Sequence, residues 1–202
     1  MRYQPAHKSR TRDRILEEAR RAFLSDGRNG TGVDGVMKSA GLTAGGFYSH
    51  FESKDALFEH ALEHAFERSI AIFFRDLDKL DGRNEINVLT RRYLSRDHRD
   101  NVREGCPLPA LAADVARAGG KSRAIFESNL NELVKRMAPA FARNGELDAR
   151  EQALALLALY VGGTVLARAT RGSPLSDRLL VACRKQARTG SRIRRKRTRK
   201  TP

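Results

Sequence analysis

The chain is short of acid. Its 202 residues hold 39 lysines and arginines against 24 aspartates and glutamates, a net charge of +15. Such an imbalance is the electrostatic profile of a polyanion binder. It is unevenly spread. Residues 1–54 carry ten basic and six acidic side chains, residues 55–187 carry 21 and 18, and residues 188–202 carry eight and none. Over half of the surplus therefore sits in the last stretch, RTGSRIRRKRTRKTP, while the middle of the chain is nearly balanced.

Cysteine is scarce too. Cys106 and Cys183 alone make neither a disulfide framework nor a metal-ligand cluster, and they suit a reducing, cytoplasmic setting. Long apolar runs are missing. The longest, Ala153–Ala167, falls short of the roughly 20 residues a bilayer needs and reads as a buried helix, so no membrane span is expected. The basic N-terminus leads into no apolar segment, which excludes a secretory signal there. No alternating pattern marks a strand, and without strands a glycine-rich phosphate loop has no frame. His60 and His64 are spaced to share a helix face, but no third ligand follows at a telling spacing. With no nucleophile–base pair either, the chain is read as a non-enzyme, without metal or cofactor.

What the sequence does have lies in residues 31–57, TGVDGVMKSAGLTAGGFYSHFESKDAL. Val33, Val36, Met37 and Ala40 form the stripe of a short amphipathic helix. Thr31 is placed to cap it and Gly41 to end it in a left-handed conformation. Thr43 is placed to cap a second short helix and Ser53 a third. Helix, glycine turn, helix is the layout of a helix-turn-helix, whose second helix enters the DNA major groove. Ala44, Gly45 and Gly46 keep the surface of that helix low, so that its backbone can approach base edges. Tyr48 and His50 follow on the side expected to be exposed. Lys54 opens the next helix, where the macrodipole disfavours a cation unless an anion comes near.

These residues resemble the N-terminal signature of the tetracycline-repressor (TetR/AcrR) family of bacterial transcriptional regulators. The resemblance rests on Thr31, Val33, Val36, Ala40-Gly41-Leu42-Thr43, Gly45, Phe47-Tyr48, His50-Phe51, Ser53-Lys54 and Leu57, and it covers residues 10–60. Met37, Asp34 and Ala44 depart from the usual pattern, which bears on the operator sequence. The resemblance implies an all-α protein with three parts. Residues 1–53 would be a helix-turn-helix DNA-binding head, and residues 54–187 a helical body for effector binding and dimerisation. Residues 188–202 would be a basic, disordered tail. It also implies function: a homodimeric regulator, expected to be a repressor that releases double-stranded operator DNA on binding a small molecule. Thr43, Ala44, Gly45, Gly46, Phe47, Tyr48, His50 and Lys54 would contact DNA. The alternatives are a constitutive DNA-binding protein without effector and, more remotely, a helical enzyme.

Periodicity supplies the other elements. Helices are expected over 10–25, with Arg12, Arg14, Arg20 and Arg21 on the charged face, and over 54–78, broken by Asp81-Gly82. Further helices follow over 85–94, 107–118, 122–144, 148–170 and 176–187, with a polar loop through Gly105. Pro139 should kink the helix over 122–144 or mark its last turn. Phe74, Tyr93, Cys106, Phe126, Met137, Phe141 and Tyr160 could surround an effector cavity, although plain core would look the same. Cys106 stands in a Gly-Cys-Pro-Leu segment also found in one subgroup of these regulators. A sensing thiol needs exposure and a lowered pKa; a buried structural thiol is the favoured reading. Gly162-Gly163 would let a second helix approach closely, from a second copy or from within the chain.

Overall fold

The computed structural model describes residues 5–144 and 146–190. Residues 1–4, Gly145 and residues 191–202, which hold most of the basic tail, lie outside the described residues. Among the described residues there are nine α-helices, four short 3-10 helices and no strand. The all-α expectation holds. The helices are α1 (Pro5–Gly30), α2 (Val33–Ser39), α3 (Lys54–Phe73), α4 (Gly82–Tyr93), α5 (Arg96–Asp100), α6 (Pro107–Arg117), α7 (Gly120–Met137), α8 (Glu146–Ala169) and α9 (Pro174–Gly190).

They group into two compact units: residues 1–75 with 95–133, and residues 76–94 with 134–202. In the first, α1 packs on α3 and α6. Ile15, Ala19 and Phe23 of α1 are buried, as are Phe58 and Leu62 of α3 and Leu111 and Val115 of α6. Phe23 meets Phe58 edge to face at 5.1 Å, and Phe66 meets Phe126 the same way at 5.6 Å. α1 runs longer than its apolar stripe suggests. Gly27, at the non-helical φ 72° and ψ 174°, ends its regular part in a kink, as a glycine turn is expected to, and a short helical stretch continues to Gly30. A side chain at Gly27 would be strained, and a Cβ would stand 3.0 Å from the Asp114 carboxylate.

Several boundaries differ from expectation, each for a local reason. The cap of α2 is Gly32, not Thr31; the Thr31 hydroxyl turns back and donates to the Gly27 carbonyl at 2.8 Å. α3 ends at Phe73, short of 78, because Asp76 takes the left-handed conformation at φ 59°. Asp81 then starts a helix and does not break one. Its Oδ1 accepts from the Asn84 N–H at 2.9 Å and caps α4. The expected loop before Gly105 contains α5, capped by Ser95 through the His98 N–H. Pro139 falls in a 3-10 helix, Ala138–Asn144, that replaces the last turns of the predicted α7.

In the second unit α8 lies on α9. Tyr160 is fully buried and stacks on Tyr93 at 5.1 Å, and its hydroxyl is 2.6 Å from Thr90 Oγ1. Thr90 in turn donates to the Ile86 carbonyl, so the tyrosine supplies the proton of that pair. Two glycines mark close approaches. A Cβ on Gly82 would stand 2.8 Å from the Ala140 backbone. One on Gly163 would stand 2.7 Å from Cys183 Sγ and 3.3 Å from Leu94. Gly163 thus serves a helix crossing inside the chain, whereas Gly162 has no neighbour within 4 Å. The apolar run of Ala153–Ala167 sits in a helix longer than itself. Its Ala149–Ala169 stretch is long and apolar enough to cross a membrane by length and composition. One side of it, Ala153, Leu156, Leu157, Tyr160 and Ala167, is buried within the second unit.

Candidate nucleic-acid interface

The presumed reading surface is built on Phe47. This residue is 1 % exposed, stacks on Phe51 at 5.9 Å and meets Tyr48 edge-on at 5.1 Å. Its side chain is not the exposed DNA contact its motif position suggests but the core anchor of the segment, held against Phe51. With Phe47 inward, Tyr48 is thrown outward and is 77 % exposed. Thr43, Ala44, Gly45 and Ser49 are exposed beside it, and Gly46 and His50 half-buried.

The segment Ala44–Ser49 is a 3-10 helix, not an α-helix. Ala-Gly-Gly is a weak helix former, and the tighter winding closes six residues between fixed points. Thr43 stands at its cap position but its side chain makes no capping hydrogen bond. Upstream, Gly41 takes φ +67°, as the turn between helices requires. Downstream, Ser53 Oγ accepts from the Ala56 N–H at 3.0 Å and fixes the start of α3. Lys54, first residue of α3, is half-buried beside this surface. Asp55 pairs with Arg28, which withdraws one negative charge from the face. Asp34 remains exposed.

The charged face read on α1 needs a correction. Arg20 is 1 % exposed. Its guanidinium donates to Glu17 from Nε (3.0 Å) and Nη2 (2.8 Å), to Glu104 at 2.8 Å and to the Arg103 carbonyl at 2.6 Å. Arg21 adds a second bond to Glu104 at 2.9 Å. Hydrogen bonding to Arg20 outweighs burial and holds the Glu17 carboxyl down to about 2. His64 Nε2 lies 3.1 Å from the same Glu17 carboxylate, and its Nδ1 lies 3.6 Å from Glu67. His60 Nδ1 is 3.6 Å from Glu63. The i, i+4 pair of histidines is therefore spread among carboxylates. Nothing in the sequence marked Arg20 apart from its neighbours, because its partners Arg103 and Glu104 lie far along the chain.

Of the seven residues expected around an effector cavity, Tyr93, Met137, Phe141 and Tyr160 are buried in the second unit. Cys106 is buried in the first, where Phe74 and Phe126 are half-buried. The Cys106 N–H donates to His98 Nε2 at 3.1 Å, and the His98 ring meets Phe73 edge-on at 4.7 Å. A pocket of about 300 Å³ opens in the second unit, lined by Phe141, Gln152, Ala155, Leu156, Leu159 and Gln186; of the seven, Phe141 alone lines it.

Comparison with known proteins places this head. The family described as bacterial regulatory proteins, tetR family, matches residues 15–61. Over 183 residues, 84 % of this chain and 90 % of the relative, the chain is 24 % identical to the HTH-type transcriptional repressor NemR of Escherichia coli K12. Over 88 residues, 44 % of this chain and 43 % of the relative, it is 30 % identical to the HTH-type transcriptional regulator UidR of the same organism. A TetR-family transcriptional regulator from Cytophaga hutchinsonii shares the fold, with a TM-score of 0.78 over 93 % of this chain and 98 % of that one, at 19 % identity. With a head that matches the tetR family over residues 15–61, a helical fold without strands among the described residues and regulators among its relatives, the chain carries a TetR-type helix-turn-helix head and is a DNA-binding transcriptional regulator.

Proposed function

We propose that this regulator is a homodimeric, cytoplasmic repressor that leaves its operator when a small molecule binds. The observation that carries the DNA part is the outward face of residues 43–50, with Tyr48 at 77 % exposure over a buried Phe47. Backbone near Gly45 and Gly46 approaches base edges, while Tyr48, His50 and Lys54 meet phosphates. Repression is proposed because NemR, similar over most of its length, is named a repressor.

Dimerisation is proposed through α8 and α9. Leu154, Val165 and Leu166 of α8 and Leu175 and Val181 of α9 are each 40 % exposed or more. Open Gly162 lies on the same stretch of α8. An apolar strip of this kind calls for a partner surface, and two-fold pairing would set two heads on paired half-sites. The functional division then follows the head at 1–53 and the body at 54–187, with no catalytic role for either. An effector in the body acts only if it binds one arrangement of the heads better than the other.

Gel-shift of duplexes from the neighbouring promoter regions, with sedimentation in parallel, tests this reading. A dimer that binds one such duplex far better than a scrambled one is expected. A monomer at micromolar concentration, or equal affinity for all duplexes, would overturn it. A melting shift with a small molecule separates the effector-responsive reading from a DNA binder without effector.

A further inference from the structure

Two cations stand beside the presumed reading surface without a counter-charge. Lys8 is exposed and Arg12 half-buried, both near the start of α1. Neither forms an ion pair among the described residues. Arg20, Arg21 and Arg28 of the same helix each hold a carboxylate. Arg12 lies with its guanidinium over the Phe51 ring, 4.8 Å from the centroid. That contact uses the face of the group and anchors it beside the end of the 3-10 helix. Its N–H donors are left without a hydrogen bond among the described residues.

His50 precedes Phe51 and completes the cluster. Its Nδ1 is buried and has no hydrogen-bond partner. Burial first, then the charges of Lys8 and Arg12, push the imidazole below its ordinary pKa. No carboxylate is among the groups acting on it. Glu52, two residues on, is exposed and its charge is felt at Lys121; His60, whose ring neighbours Phe51, lies near Glu63. The site thus gathers two cations without an ion pair among the described residues and one imidazole whose pKa is lowered by burial and then by their charge. An anion is the missing member.

We infer that Lys8 and Arg12 form a second phosphate clamp with His50, and that seating a DNA phosphate there puts a proton on His50. The inference rests on residues 43–50 facing DNA. A phosphodiester brings the negative charge that Lys8 and Arg12 lack. It offsets their repulsion of the imidazolium and can accept a hydrogen bond from it. By linkage, DNA binding then takes up a proton, and affinity rises as pH falls. The clamp carries no base-reading geometry, so it strengthens specific and random DNA alike.

The test uses the full chain and a random-sequence DNA duplex, followed by fluorescence anisotropy across salt and pH. The double variant Lys8→Ala/Arg12→Ala should lose about two units of salt slope, close to 0.9 for each phosphate contact. Arg12→Lys should keep most of that slope, because it keeps the charge. Native affinity should climb as pH falls through the range in which His50 takes up its proton, by up to about tenfold per unit, and His50→Gln should flatten the climb. Circular dichroism checks that each variant keeps its helices. An unchanged salt slope in the double variant, with Lys54→Ala still lowering it, would overturn the clamp and leave the DNA-binding face standing. A climb with pH that His50→Gln does not flatten, or no climb at all, would overturn the proton uptake. If neither the double variant nor Lys54→Ala changes the slope, the face itself is misplaced and the clamp falls with it. Inorganic phosphate that shifts the His50 ring signal while the duplex is ignored would make this a free-anion site, and would likewise overturn it.

Discussion

Gly163 of α8 packs directly against Cys183 of α9: a Cβ on the glycine would stand 2.7 Å from the cysteine Sγ. Gly163→Leu should therefore damage the fold itself. Overpacking of a close helix crossing costs about 1–3 kcal/mol, and more where backbone must shift. Gly162→Leu meets no atom within 4 Å and should leave monomer stability alone. If α8 and α9 pair with a second copy, it should weaken association. Thermal unfolding and sedimentation of both variants separate the effects. Equal unfolding temperatures for native protein and Gly163→Leu would contradict the internal crossing.

Arg20 gives a second expectation. Its guanidinium is buried and satisfied by Glu17, Glu104 and the Arg103 carbonyl. Removing one partner of a buried ion pair costs about 3–5 kcal/mol, and the partial exposure of both glutamates should bring the cost of Arg20→Ala towards the lower end. Glu104→Gln leaves Glu17 in place and should cost about 1–2 kcal/mol, a hydrogen bond weakened from charged to neutral. Urea unfolding of both variants measures the ranking. A costlier Glu104→Gln would reverse it.

Acid should probe the same cluster. The Glu17 carboxyl titrates at about 2 when folded, below its ordinary 4.5. A lowered carboxylate contributes stability that is complete above its unfolded value and is lost as pH falls towards the folded one. The loss attributable to Glu17 should therefore fall between about pH 4.5 and pH 2, and Glu17→Gln should make stability less steep in that window. Unfolding titrations at a series of acid pH values provide the check. An identical slope in native and variant protein would remove Glu17 from the account.

On DNA, Tyr48→Phe and Lys54→Ala should weaken binding while leaving helical content intact. Tyr48 is largely exposed, so its hydroxyl supports no core. Lys54→Ala should flatten the salt dependence by about one unit. Undiminished affinity in both variants would remove them from the interface. Phe47→Ala should behave differently and lower stability by about 3–5 kcal/mol, as loss of a buried aromatic does.

Cys106 is expected to be structural. It is 1 % exposed, and its N–H is spent on His98. Cys106→Ser and native protein should therefore hold DNA equally well in mild oxidant. Release of the native protein alone would make the thiol a sensor.

Much of this was legible in the sequence, for identifiable reasons. Val36, Met37 and Ala40 are buried where a helical stripe places them, Ser53 caps α3, and Gly41 takes a positive φ. These are local effects, settled within a few residues. The errors came from competition and from distance. Thr31 lost its capping role because Gly27 offered its hydroxyl a carbonyl. Asp81 was read as part of a break because its partner, the Asn84 N–H, becomes a donor in need only once α4 exists. Phe47 looked like a contact because motif position alone does not say which way a ring turns. Arg20 looked solvated because Glu104 is 84 residues away.

That last pairing bears on modularity. The head is matched as a contiguous stretch, residues 15–61, and such a stretch looks portable. Yet α1, its first wall, keeps a buried cation whose partners include residues 103 and 104. Cut out and fused to another protein, the head would carry a guanidinium with half its acceptors missing. Evolution faces the same obstacle as the engineer. A new body can be grafted onto this head only if it brings a carboxylate and a carbonyl to the same spot, so recombination is confined to bodies already shaped to receive α1.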